Sequence, residues 1–479
     1  MDPKPSSPLS GVARVAQVVG ASVDLVFHVL QNVNTLVEGV TTDSLRVATE
    51  AQALSRDVMA AAEQARVAAR ATPRFLRVVG EVARIAAAYK LRGPSEELHA
   101  WGAERLYALC IELRGPLLKL GQLASARADL LPRAYIESLS RLQDRVPPVE
   151  AAAIRARIEA ELGRPLNDLF ASFDDEAIAA ASLAQVHAAT LGDGTPVVVK
   201  VQIPGVEELI EADMAALRVL ARTLGDMLPK IDLPTIVTEL ARSIREELDY
   251  TAEAAHAQAI GAAFAGHGEI VVPRVHTELS TGRLLVLERL VGARLLEFLD
   301  GADQAGRDRV LGAMLRAYAA QILAHGRFQA DAHPGNFLVL DGVDGVRLGL
   351  LDFGCVKELS PSVRRGFVGL AMAILMRDAA RAAVLFRELG FEVNGDDPRA
   401  LDELAELLMG ALREGGDLGA IDPEAQLRRG LEILRDNPIA KLPQDFVLIG
   451  RVFASLGGLF ATYKPRLDAF GALAPHLTA

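Results

Sequence analysis

The sequence predicts an α+β chain of two lobes behind a helical extension. Apolar residues recur at helical spacing through the first third of the chain. Short β-branched and alanine-rich runs then gather around the turn Gly192-Asp193-Gly194. Helical periodicity returns afterwards, broken by one further hairpin. Four segments follow from this order: a helical N-terminal region over 1–92, a helical extension over 93–168, a smaller lobe with strands and a helical insert over 169–292, and a larger, mostly helical lobe over 293–479.

The bulk numbers allow this plan and exclude others. A chain of 479 residues with 51% hydrophobic content is large enough for more than one core. The formal net charge of −11 and the few scattered aromatics do not make a nucleic-acid surface, so no nucleic-acid partner is expected. Two distant cysteines, Cys110 and Cys355, offer neither a disulfide framework nor a zinc site and fit a reducing cytoplasm. Arg14 and Asp24 interrupt the first apolar stretch, which makes a poor signal peptide. No uncharged apolar run reaches the length of a spanning helix.

The elements follow in order. Residues 9–92 read as two or three helices, with Val12, Val15, Val18 and Val19 at helical spacing and breaks at Thr41-Thr42-Asp43 and Thr72-Pro73. They either pack against the rest of the chain or lie on a membrane surface; the polar face is not strongly basic, which favours packing. Helices continue over 95–163, punctuated by Arg114-Gly115-Pro116 and Val146-Pro147-Pro148. Strand runs are expected over 177–190 and 195–201, helix over 206–264, strands over 270–275 and 283–290, helix over 295–325, and a hairpin of 337–340 with 346–351.

Chemistry concentrates in the last third. Asp331-Ala332-His333-Pro334-Gly335-Asn336 sets an aspartate five residues before an asparagine, the spacing of a kinase catalytic loop. One carboxylate must face the incoming hydroxyl or water, and the amide oxygen must reach a metal from the same loop. Leu350-Leu351-Asp352-Phe353-Gly354 then delivers Asp352 from a strand end as a Mg2+ ligand. Either motif alone is common; the two in this order, across a hairpin, are specific. Upstream, Lys200 ends the strand Val197-Val198-Val199, where an ammonium calls for an anionic partner. Glu253 is the chosen ion-pair partner, the alternative for it and for Glu246, Glu247 and Asp249 being a solvated helix face. Glu288, in the 283–290 strand, is also assigned to the nucleotide site. Where a glycine-rich phosphate loop would stand, the chain has Ala179-Ala180-Ala181-Ser182, whose Cβ atoms hold backbone away from phosphate.

Taken together these residues resemble the UbiB (aarF-domain) family of atypical kinases over roughly residues 95–464. The alanine-rich loop with Gln185-Val186-His187, Lys119-Leu120-Gly121-Gln122 as K-x-G-Q, Glu247-Leu248-Asp249 as E-x-D, and His333-Pro334-Gly335-Asn336 carry the likeness. Ala184, Ala332 and Gln329 depart from residues usual in that family. The resemblance implies a bilobal protein-kinase-like fold in which the K-x-G-Q helix covers the nucleotide site. Lys119 would meet Glu247 and Asp249 there, with Gln122 beside it, favouring ATPase over protein phosphorylation. It further implies ATP/ADP and Mg2+, a lipid or quinone-precursor ligand, peripheral contact with the inner face of the membrane, and room for a homodimer. The function expected is a Mg-dependent ATPase or atypical kinase in isoprenoid-quinone or other prenyl-lipid metabolism. Asp331, Lys200 and Glu253 would be catalytic, and Asn336 and Asp352 metal ligands. A nucleotide-gated scaffold that recruits biosynthetic partners is the alternative. An ordinary protein kinase is disfavoured by the missing glycine-rich loop and Ala-Pro-Glu segment.

Overall fold

The computed structural model describes residues 71–125, 131–143, 148–225, 233–342, 345–393, 439–441 and 443–477, with Leu401, Glu403, Ala405, Glu406 and Met409 between. The expected helices over 9–70 lie outside the described residues. The chain opens with α1 (Ala71–Arg92), α2 (Glu96–Leu113), α3 (Gly115–Ser125), α4 (Arg133–Ser140), α5 (Ala151–Leu162) and α6 (Leu166–Leu169). Local chemistry places the breaks. Ser95 caps α2 by accepting the Leu98 N–H at 3.2 Å, with Glu96 and Glu97 in the first turn. Arg114 and Gly115 then turn left-handed at φ 53° and 57°, and Gly163 ends α5 at φ 65°.

Strands β1 (Ser172–Ala180), β2 (Ala184–Thr190) and β3 (Pro196–Gln202) follow, then helices α7 (Val206–Gly225), α8 (Leu233–Glu247) and α9 (Tyr250–Ala263). The run expected as one strand over 177–190 is two strands, because the chain reverses at Ala181–Leu183, where the Ala181 N–H bonds the Ala184 carbonyl at 2.8 Å. The Gly192–Gly194 turn forms as expected, with Gly194 at φ 88°. After β4 (Ile270–Val271) the expected strand dissolves: Val275 keeps only one bridge, to Leu287 of β5 (Leu284–Glu288). The first sheet has the order β1-β2-β3-β5.

The remainder comprises β6 (Ala293–Arg294), α10 (Leu295–Gly301), α11 (Gln304–Ala319) with a π turn over Ala320–His325, β7 (Arg327–Gln329), β8 (Phe337–Gly342), β9 (Gly345–Leu350) and β10 (Val356–Glu358). Then come α12 (Pro361–Leu375), α13 (Ala379–Glu388), β11 (Glu392–Val393), β12 (Ile439–Lys441), α14 (Gln444–Tyr463) and α15 (Ala469–Leu473). A second sheet runs β4-β9-β8-β6, and β7 pairs with β10. Among the described residues no helix is long and apolar enough to cross a membrane.

The chain divides into two compact units. The first holds residues up to Asp168, Phe173–His187 and Lys200–Leu248; the second holds Leu169–Ser172, Ala188–Val199 and everything from Asp249. The first unit is built on one helical core, in which Leu109, Leu113 and Leu117 of α2 and α3 meet Met214 and Leu217 of α7 and Leu240 and Ile244 of α8. Beside it Cys110, Leu118, Leu139 and Leu142 form a smaller cluster. Asp213, buried on α7, is held by a two-point guanidinium contact from Arg74 at 3.0 and 2.6 Å. In the second unit α11 is the central helix. Its last turns, Val310 to Ala319, are buried almost all round, as expected of a helix enclosed by other elements.

Candidate active site

Two short ladders in the second unit build the site. In one, β7 runs antiparallel to β10, Gln329 opposite Val356 and Arg327 opposite Glu358. In the other, β8 runs antiparallel to β9, with Phe337 opposite Leu350. The loop of residues 330–336 leaves the first ladder and enters the second; the segment of residues 351–355 makes the return trip. Two backbone bonds lace these segments together: Ala330 N–H to the Cys355 carbonyl at 2.7 Å, and Leu351 N–H to the Asn336 carbonyl at 3.0 Å. The loop containing Asp331 and Asn336 and the segment containing Asp352 are thereby fixed side by side, as the motif order predicts.

Within the first loop, the Asn336 amide nitrogen donates to Asp331, to its carbonyl at 3.2 Å and its carboxylate Oδ2 at 3.4 Å. The Asn336 Oδ1 is thereby directed away from Asp331. A 3-10 turn over Pro334–Asn336 makes the approach short enough, and His333 steadies it by accepting the Gly335 N–H at 3.1 Å. On the return segment, Asp352 Oδ1 accepts the Gly354 N–H at 2.8 Å. Phe353 is fully buried, and the His256 ring nitrogen bonds its carbonyl at 3.2 Å. Glu253, also buried and one turn before His256 on α9, brings Oε2 to 3.6 Å from where a Cβ on Gly354 would stand. A side chain at 354 would crowd both that carboxylate and Asp352.

Several braces were invisible to motif reading. The Gln329 side-chain amide donates to the Asp352 carbonyl, and the Gln321 Oε1 accepts the Gln329 N–H at 2.9 Å. The Ser455 hydroxyl, on α14, donates to the Ala332 carbonyl at 2.6 Å. Tyr318 stacks edge-on against Phe337 with centroids 6.4 Å apart. Burial, and then the Asp331 charge, push its phenol far up, so it stays protonated. The same two causes push the Cys355 thiol up, which keeps it an inert thiol.

The other sequence-assigned residues are distributed as follows. Lys200 is half-buried on β3, on the strand face opposite the fully buried Val197, Val199 and Val201. It belongs to the first unit, as do Ala179, Ala180, Ala181 and Ser182; Glu253 and Glu288 belong to the second. Ser182 is buried in the β1–β2 turn. The Glu288 carboxylate accepts the Arg274 N–H at 3.2 Å.

In the first unit Lys119 Nζ lies 2.5 Å from Glu247 Oε2. The expected second partner is otherwise engaged: Asp249 falls in the other unit, where its carboxylate caps α9 by accepting the Ala252 N–H at 3.0 Å. Gln122 donates to the Leu142 carbonyl at 2.9 Å. Gly121 is needed for packing, since a Cβ there would fall 2.5 Å from Leu142 Cδ1. Gln185 clamps the backbone of Val149, accepting its N–H and donating to its carbonyl at 3.3 Å. Its amide also meets His187 Nε2 at 3.2 Å, and His187 Nδ1 bonds the Asp174 carbonyl at 2.9 Å. The glutamine and histidine of that run therefore brace the β1–β2 hairpin.

Asn336 Oδ1 and the second oxygen of Asp352 are hard oxygen donors, the type that Mg2+ takes beside waters and phosphate oxygens. Among the described residues no group of three or more His, Cys, Asp or Glu could hold a metal ion.

Comparison with known proteins gives concordant results. The family described as "ABC1 atypical kinase-like domain" matches residues 141–385. The Arabidopsis thaliana protein named ACTIVITY OF BC1 COMPLEX KINASE 8, chloroplastic, is 34% identical over 390 residues, 74% of this chain and 51% of that protein. AarF domain-containing protein kinase 1 of Gallus gallus is 32% identical over 362 residues, 74% of this chain and 68% of that one. The chain spans about half the length of the Arabidopsis relative. Among solved structures, Rv3197 of Mycobacterium tuberculosis in complex with erythromycin superposes with a TM-score of 0.57 at 26% identity, covering 79% of this chain and 96% of that one.

Proposed function

Because the chain belongs to the ABC1 atypical kinase-like family and has its α+β kinase-like fold, we propose that it is a Mg2+-dependent ATPase or atypical kinase acting in isoprenoid-quinone or other prenyl-lipid metabolism. The observation that carries the reading is the lacing of the Asp331–Asn336 loop to the Asp352 segment between two ladders. In that arrangement Asp331 orients the attacking hydroxyl or water and accepts its proton. Asn336 and Asp352 would hold Mg2+, which when bound supplies charge neutralisation for the phosphates. Lys200 would clamp the phosphates, with Glu253 as its counter-charge and the 179–182 turn and Glu288 as nucleotide contacts. The Lys119–Glu247 ion pair, with Gln122 tied inward and Asp249 at the start of α9, would hold the extension as a cover that limits protein acceptors.

Catalysis here rests on positioning and charge, so the braces matter as much as the ligands. Gln329, His256 and Ser455 each bond a backbone carbonyl of the reacting segments and leave the side chains of Asp331 and Asp352 available. The lipid assignment is tested by ATP turnover of the purified chain with and without a prenylated quinone in anionic vesicles, beside Asp331→Asn. Turnover stimulated by the quinone-bearing vesicles and lost in the variant is expected. Erythromycin, the ligand named with the mycobacterial relative, belongs in the same assay as a second amphipathic probe. Tight nucleotide binding without turnover under any condition would replace the enzyme with a nucleotide-gated scaffold.

A further inference from the structure

A cavity of about 160 Å³ lies within the second unit, between α9 and the π turn that ends α11. Ala259, Ile260, Ala263 and Phe264 of α9 form one wall, and Gln321, His325 and Arg327 form the other. The first wall is wholly apolar. The second presents a buried donor without a protein partner, Gln321 Nε2. Gln321 is 1% exposed and its Nε2 has no acceptor, while its Oε1 is taken by the Gln329 N–H, which fixes which way the amide faces. Arg327, partly exposed, turns Nε and Nη2 to Glu358. The His325 ring stands edge-on to Phe264 with centroids 6.2 Å apart.

A buried donor without an acceptor is costly, and among the cavity's lining groups the buried unmatched atom, Gln321 Nε2, is a donor. The missing partner is therefore an acceptor, and beside a guanidinium it is best an anionic one. An apolar cavity of about 150 Å³ takes a benzene-sized guest. We propose that this cavity is a ligand site for a small monocarboxylate with a compact apolar body, its carboxylate on Gln321 and Arg327 and its body against Ile260 and Phe264.

Both walls lead to the reacting segment. The α9 wall continues, two turns back, into Glu253 and His256, which face Gly354 and the Phe353 carbonyl. Gln321 of the other wall holds Gln329, whose side chain holds the Asp352 carbonyl. Occupancy is thus felt at Asp352 from two sides, making the site regulatory; this coupling rests on the nucleotide reading of Asp352 given above, whereas the site itself does not.

Benzoate is the probe, titrated into the full chain without nucleotide and followed by saturation-transfer NMR and by thermal unfolding, with toluene as the acceptor-free control. Saturable benzoate binding is expected, at least tenfold tighter than toluene. It should weaken at least tenfold in Ala263→Leu, which fills the cavity from a helix that tolerates leucine. Ala259→Leu fills it from the neighbouring turn and serves if the first variant does not fold. Saturating benzoate should also shift ADP affinity at least threefold, with the reciprocal effect on benzoate. Absence of saturable binding, equal binding of toluene, or unchanged binding in both filled variants overturns the site. Benzoate binding with unchanged ADP affinity overturns the coupling. Benzoate binding to a protein that takes up no ADP upholds the site and counts only against the nucleotide reading.

Discussion

Gly121 offers the cleanest measurement of what the Lys119–Gln122 run does. A methyl group added there would lie 2.5 Å from Leu142 Cδ1 and 3.0 Å from Cys110 Sγ. Neither neighbour has room to retreat. Leu142 is 0% and Cys110 3% exposed, and Leu118 and Leu139 close the cluster from the sides at 0%. Overpacking such a site costs about 1–3 kcal/mol. Replacing glycine by alanine in a helix interior returns about 1 kcal/mol through propensity. Gly121→Ala should therefore be destabilised by roughly 0–2 kcal/mol net of those two terms. Gly80→Ala on α1 supplies the control, because nothing lies within 4 Å of its added Cβ. It should be stabilised by about 0.5–1 kcal/mol. The difference between the two variants cancels the propensity term and isolates the steric one, about 1–3 kcal/mol. The single tryptophan, Trp101, lies on α2 in the same unit as both glycines, so its fluorescence across a urea titration reports the unfolding of the relevant core. If Gly121→Ala proved as stable as Gly80→Ala, the close helix packing assigned to Gly121 would be refuted.

The other predictions address charge and the reacting segments. Asp352→Asn should lose Mg-ATP binding more completely than Asp331→Asn, because it alters the proposed metal ligand rather than the proposed partner of the nucleophile; equal affinities by calorimetry would reverse the assignment. Gln329→Leu removes the donor to the Asp352 carbonyl and should cost about 1–3 kcal/mol, read as a fall in thermal stability together with weaker nucleotide binding. Unchanged nucleotide affinity would make that brace structural only. Glu81 is buried beside Arg105, which, ahead of Arg77, holds its carboxyl below the ordinary value of 4.5. A depressed carboxylate stabilises the fold fully above 4.5 and loses that contribution as pH falls through the folded-state value. The stability gap between the native chain and Glu81→Gln should accordingly be widest at neutral pH and close on acidification. A gap that widens in acid would contradict the ion pair.

Much of the plan was legible because it is written in short-range chemistry. The cap at Ser95, the left-handed glycines 163 and 194, and the Pro334-Gly335 turn each act within a few residues. The spacing of Asp331, Asn336 and Asp352 likewise announces two loops that must return to one place. Boundaries were less legible where strands are defined by partners rather than by composition. Residues 272–275 have the β-branched content of a strand and no ladder to join, while the alanine-rich run 177–190 hides a reversal that no glycine marks.

Sequence alone determined the coarse order of helical and strand regions, several caps and turns, and the identity and spacing of the acidic and amide groups of the site, because each depends on residues close together in the chain. Tertiary structure decided what holds those groups in place. Ser455 reaches Ala332 across 123 positions and His256 reaches Phe353 across 97. Gln321 and Gln329 act on Asp352 from a buried helical turn and the strand after it, and Gly121 matters only because α3 packs on Leu142. No periodicity encodes such pairs. They exist because burying apolar faces brings distant backbone carbonyls and side-chain donors into a space without water, where each must find the other.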